Sequence, residues 1–214
     1  ALLNAAEPDL ILLGGDYVVS RAADFERCAA ILGRLRAPLG VYAILGNHDY
    51  WPGGDLIAAK VAAAGPIMLR NRSRRLVAPG GAPFWLVGLD DAVRGRHDID
   101  AALAGVPRDA FRLLLAHEPD VADGLHARGA RADLQLSGHT HGGQVVLPRI
   151  GPLLLPRLGR RYVRGLHLAA PWPIYTSRGL GAVPPYWRLN CPPEVTVLTL
   201  TSAECGVESA EPAG

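Results

Sequence analysis

Apolar residues along the chain fall in short unbroken runs that alternate with stretches of helical spacing, and the runs close on glycine and polar residues. Residues 9–15 (DLILLGG) form such a run, the pattern of a strand buried on both faces, and Asp16 stands at its end. Residues 21–35 put Phe25, Cys28, Ile31, Leu32 and Leu35 on one helical side, until Pro38 and Gly40 break the pattern. The next buried strand is expected over 41–45 and runs into Gly46, Asn47, His48 and Asp49; a helix over 55–64 follows, stopped by Gly65 and Pro66. Shorter strands are expected over 67–69, 75–77 and 84–89, the last ending on Asp90 and Asp91. A short helix over 99–104, a strand over 112–116 ending on His117, a helix over 121–128 and a strand over 134–137 ending on Gly138 and His139 continue the series. Later strands are expected over 144–147, 174–176 and 195–200, and 151–165 reads as a long insertion.

This alternation predicts an α/β fold. Residues 1–6 read as the last turns of a helix closed by Glu7 and Pro8. In an α/β domain such a helix follows an earlier strand, so an upstream strand is expected in the natural protein. The length fits one domain, assigned to 1–201, with 202–214 as a flexible tail.

Composition narrows this only a little. A net charge of +2 gives no specific indication of nucleic acid as a partner. Lys60 is the sole lysine amid abundant Arg, Ala, Gly and Pro, which reads first as genomic base composition. Cys28, Cys191 and Cys205 are far apart and odd in number, so neither a thiolate zinc site nor a disulfide framework is indicated. No apolar run approaches a membrane span.

The candidate chemistry lies at the strand ends. Asp16, Asn47, His48, His117, His139 and His141 each follow closely on a buried run, and open α/β sheets bind ligands outside the carboxyl ends of their strands. Imidazole with carboxylate suits Zn, Fe or Mn. Glycines flank these residues (Gly14 and Gly15, Gly46, Gly138, Gly142 and Gly143), where a sharp turn or a close ligand approach needs them. No G-x-S-x-G motif offers a serine nucleophile. Taken singly, Asp16 and Asn47 are ordinary turn residues and His117 an ordinary strand-end histidine; their shared sheet edge is what points to a metal. Asp90 and Asp91 read as a plain turn or as support for that metal.

GGDY (14–17), GNHDY (46–50), HEPD (117–120) and GHTHGGQ (138–144) occur in the order found in calcineurin-like metallophosphoesterases, and the chain resembles that superfamily, nearest its bacterial YkuE/YaeI-type phosphodiesterase branch. The likeness extends into SRGLG (177–181) and CPPEVTVLTL (191–200). It implies a two-sheet α/β/β/α sandwich, here lacking its first strand, because the family's opening Asp-x-His motif has no counterpart before Asp16. It also implies two divalent or trivalent cations (Mn, Fe or Zn): one held by Asp16, Asn47, His117 and His139, the other by Asp16, His141 and the missing pair. The implied reaction is hydrolysis of a phosphodiester, pyrophosphate or monoester by a hydroxide bridging the metals. His48 would protonate the leaving oxygen, and Asp49 would orient its imidazole. With the second cation's site half absent, this chain is expected to hydrolyse weakly or not at all. The rival implication is a non-catalytic metal-binding or protein-interaction scaffold.

Arg178 is expected either to reach a substrate phosphate or to form a structural salt bridge. Residues 145–166 mix apolar residues with Arg149, Arg157, Arg160, Arg161 and Arg164. They read either as an irregular loop packed on the domain with solvated arginines, which the prolines favour, or as a peripheral membrane contact through 149–164 serving lipid- or envelope-linked phosphoesters. The compartment stays open between cytoplasm and membrane or cell envelope, and the oligomeric state is not legible.

Overall fold

The computed structural model describes residues 2–201, so the expected tail over 202–214 lies outside the described residues. Strands β1 (Ile11–Leu13), β2 (Val41–Ala43) and β3 (Ile67–Met68) form a parallel sheet in that order. A short helix α1 (Leu2–Ala5) precedes them, and α2 (Phe25–Leu32) and α3 (Gly54–Ala63) make the crossovers.

The second sheet uses β4 (Arg72–Val77), β5 (Pro83–Gly88), β6 (Arg112–Leu115), β7 (Leu134–Ser137), β10 (Gly165–His167) and β11 (Ile174–Thr176), in the order β10-β11-β7-β6-β5-β4. Its four central strands run parallel and the two edge strands antiparallel. Helices α4 (Ile99–Ala102) and α5 (Val121–Ala127) connect β5 to β6 and β6 to β7. A two-residue hairpin, β8 (Val146–Leu147) with β9 (Gly151–Pro152), stands apart from both sheets.

The period of two along the strands sorts the core into three layers. Tyr42 and Ile44 from the first sheet meet Leu86, Leu113, Leu115 and Leu134 from the second, so one apolar layer lies between the sheets. The alternate residues Ala43 and Leu45 face Phe25, Leu32, Ile57 and Val61 of α2 and α3. Val87, Leu114 and Ala116 face Ile99, Ala102, Val121 and Leu125 of α4 and α5. The result is the expected α/β/β/α sandwich.

The departures from expectation have local causes. β4 starts at Arg72 rather than 75, because an antiparallel edge strand tolerates the exposed side chains of Arg72, Arg74 and Arg75. Residues 195–200 carry strand-like alternation but pair with none of the described strands; alternation marks a face, not a partner. The segment read as an insertion contains β9 and leads into β10, whose run of Gly165, Leu166 and His167 is too short to signal a strand by itself.

Candidate metal centre

Asp16, Asn47, His117 and His139 leave the carboxyl ends of β1, β2, β6 and β7, so both sheets feed one edge. The backbone there is held in unusual conformations. Asp16 (φ 60), His139 (φ 68), His141 (φ 51) and Gln144 (φ 47) all lie in the left-handed region, which costs non-glycine residues energy and gathers where function requires it. A Cβ on Gly46 would run into the Asp16 carboxylate and the His117 ring, and a Cβ on Gly15 into the backbone of Leu45 and Gly46. These two glycines let the strand ends close on each other.

Asp49 locks that approach. Its carboxylate is fully buried and accepts backbone N–H groups from Asp16 (2.9 Å), Tyr17 (2.8 Å), Val18 (3.3 Å) and Gly46 (2.9 Å). The expectation that Asp49 orients the His48 imidazole is therefore not met: its hydrogen bonds go to the turn that carries Asp16. The His48 ring is instead held through Nδ1, which donates to the Val19 carbonyl at 2.8 Å, while the His48 backbone N–H donates to Asp16 Oδ1 at 2.9 Å.

One donor atom from each of Asp16, His117 and His139 lies within 4.8 Å of the others. His117 Nδ1 donates to the Gly14 carbonyl (2.6 Å) and His139 Nε2 to the Arg157 carbonyl (2.8 Å). A carbonyl only accepts, so each neutral ring keeps its lone pair on the opposite nitrogen. Those nitrogens, His117 Nε2 and His139 Nδ1, are buried without a hydrogen-bond partner, as is Asn47 Oδ1. His117 Nε2 does approach Asp16 Oδ2 to 3.2 Å, but without hydrogen-bond alignment. Orphaned buried acceptors are costly. A cation between the two ring nitrogens and the Asp16 carboxylate would satisfy them together, so these residues fit a metal with mixed N and O ligands.

The electrostatics of the protein alone agree. Burial works against charge on Asp16, but the neighbouring His117 and His48 hold its carboxyl well below the usual range. Burial likewise opposes protonation of His117, and Asp16 overrides it, raising the ring to about 10. A proton thus stands in for the cation. Burial and the charge of His117 push His139 down to about 4, leaving it a neutral ring. Burial and the Asp16 charge push Asp49 up to about 6, against the pull of its backbone donors and of His117.

His141 stands outside this group. Its Nδ1 lies 3.2 Å from Gln144 Oε1, and its carbonyl accepts from the Arg188 guanidinium at 3.0 Å. Arg188, which no motif marked, also donates to the carbonyls of Arg178 and Gly179 and so pins this loop. Arg178 pairs with Glu194, the structural role of the two expected for it. Asp91 caps its own turn through the N–H groups of Val93 and Gly95. Asp90 meets Arg70 at 3.2 Å and accepts from the Tyr50 hydroxyl. The buried Glu118, adjacent to His117, was missed as well: burial and a hydrogen bond with Asp91 push it up to about 8. Its one sequence signal is its place inside HEPD.

A family model described as calcineurin-like phosphoesterase matches residues 1–143. The metallophosphoesterase YkuE of Bacillus subtilis is 36% identical over 204 residues, covering 94% of this chain and 70% of its own length. The phosphodiesterase YaeI of Escherichia coli is 39% identical over 199 residues, covering 91% of this chain and 71% of its own.

Asp16→Asn and His139→Ala should each lower bound metal in elemental analysis, and unchanged occupancy would remove them from the ligand set. Because His117 binds a proton below about pH 10, a cation must displace it. Metal affinity measured by calorimetry should therefore rise about tenfold per pH unit across the neutral range. Asp49→Asn exchanges two acceptor oxygens for one and should destabilise the fold by about 1–3 kcal/mol in denaturant melts.

Proposed function

The chain belongs to the calcineurin-like phosphoesterase family, and on that premise we propose that it is a metal-dependent hydrolase whose cations are held at the edge shared by its two sheets. The observation that carries this reading is the convergence of two buried ring nitrogens without hydrogen-bond partners, on His117 and His139, with the Asp16 carboxylate. Asp16, Asn47, His117 and His139 would hold one cation, and Asp16 and His141 would contribute to a second. When bound, such ions supply positive charge for phosphoryl oxygens and lower the pKa of water toward neutrality.

The protein's own contribution is position and proton supply. The Gly14 and Arg157 carbonyls take one N–H from each ring and so fix which nitrogen faces the site, Nε2 of His117 and Nδ1 of His139. His48 is tied to the same carboxylate through its backbone and to Val19 through Nδ1, which leaves Nε2 as the free end of the ring. Protonated there, it donates to the leaving oxygen of a phosphoester. The substrate class is a diester or pyrophosphate before a monoester, in line with the phosphodiesterase name of one relative.

His48→Ala should lower turnover of a chromogenic phosphodiester by about 10²–10⁴-fold with bound metal unchanged. A parallel loss of metal would make His48 a ligand or a structural residue instead. Hydrolysis that survives complete chelation would end the metal-dependent reading.

A further inference from the structure

Charge is distributed very unevenly along this chain. Residues 134–193 contain no aspartate or glutamate and seven arginines, although the whole protein has 20 acidic residues. Arg149, Arg157, Arg160 and Arg164 are exposed, and among the described residues none of them pairs with a carboxylate. Arg161 and Arg178 do have acidic partners, Asp123 and Glu194, which are supplied from outside that stretch.

The same stretch presents apolar side chains to solvent. Around the β8–β9 hairpin, Ile150 is 72% and Leu154 82% exposed, with Leu153 beside them. Tyr186 and Trp187 are exposed as well, and their segment is joined to the hairpin by the Val145–Leu189 bridge and by Asn190 Nδ2 donating to the Val146 carbonyl. These residues are not a frayed loop. The neighbouring chain is anchored by the Arg160, Arg161 and Tyr162 N–H groups on the Asp120 carboxylate and by Thr140 Oγ1 on the Val163 carbonyl. The segment also borders the metal centre, since the Arg157 carbonyl holds His139 and Arg188 holds the His141 loop.

We propose that this face docks on an anionic lipid bilayer, with the hairpin's apolar tip entering the interface and the unpaired arginines meeting lipid headgroups. Leucine, isoleucine and interfacial tryptophan and tyrosine supply the apolar part, and clustered arginine without acidic neighbours supplies the attraction; stable surface attachment takes two such signals together. A second copy of the chain is a poorer occupant, because a two-fold contact would set the same arginine-rich face against itself. Docking would hold the metal centre at headgroup height, a consequence that rests on the hydrolase reading above.

The test is co-sedimentation of the whole protein with phosphatidylcholine vesicles, with and without phosphatidylglycerol. Binding is expected only with the anionic lipid and should fall as salt rises. The Ile150→Ser/Leu153→Ser/Leu154→Ser variant and the Arg149→Gln/Arg160→Gln/Arg164→Gln variant should each bind at least about tenfold more weakly, with bound metal unchanged. No sedimentation of the parent protein, or binding by either variant as tight as the parent's, overturns the proposal. So does a dimer in sedimentation velocity that the serine variant dissolves, which assigns the face to a second copy. Vesicle binding needs neither turnover nor metal, so a failure to dock leaves the hydrolase reading standing, and a protein that docks but binds no metal sinks that reading and leaves the docking surface standing.

Discussion

Four backbone N–H groups converge on one buried carboxylate, and the geometry of the metal centre depends on that convergence. Asp49 collects the amides of Asp16, Tyr17 and Val18 from the end of one strand and of Gly46 from the end of the next. Without it, a turn carrying Asp16 at positive φ would have buried donors and no acceptor. The glycines at 15 and 46 are the steric condition for the same closure, since a methyl group at either position would meet backbone or the ligands themselves. Backbone strain at Asp16 is thus offset by hydrogen bonds made behind the site, while its carboxylate oxygens face the His48 N–H and the His117 ring.

The front is organised by a complementary device. Carbonyl groups from two distant segments take one N–H from each histidine, and the remaining lone pairs turn inward with nothing to bond. A protein that buries two unmet ring nitrogens beside a carboxylate holds an arrangement that is poor alone and good around a cation. The raised proton affinity of His117 follows from the same crowding: the proton is the smallest cation available to the site. Ligand chemistry and apo-state electrostatics are therefore two descriptions of one arrangement.

Much of this was legible in the sequence, for a physical reason. Buried parallel strands are continuous apolar runs, so the positions where Asp16, Asn47, His117 and His139 leave the sheets can be located by pattern alone. The layer assignment of Tyr42 and Ile44 against Ala43 and Leu45 follows from the same period. What pattern cannot carry is who faces whom across the fold. Gly14 and His117 lie 103 residues apart, and nothing local announces their hydrogen bond. Asp49 stands next to His48 in the chain, which suggests a pairing of their side chains; the 3-10 turn Asn47–Tyr50 instead sends its carboxylate back to Gly46 and across to the Asp16 turn. Residues 195–200 fail for the related reason that a strand is defined by its neighbour.

The stretch read as an insertion joins the site to the exposed face beside it. It is irregular, as its prolines require, yet its backbone is bound at Asp120, Thr140 and His139, so it is a wall of the site rather than an appendage. Such a wall fixes one ligand's tautomer through a main-chain carbonyl, which any residue can supply, and so leaves its side chains free of catalytic duty. Those side chains include the exposed Leu153 and Leu154 and the exposed Arg157, Arg160 and Arg164. The same segment can therefore hold His139 from its backbone while its side chains meet a surface, with neither demand constraining the other.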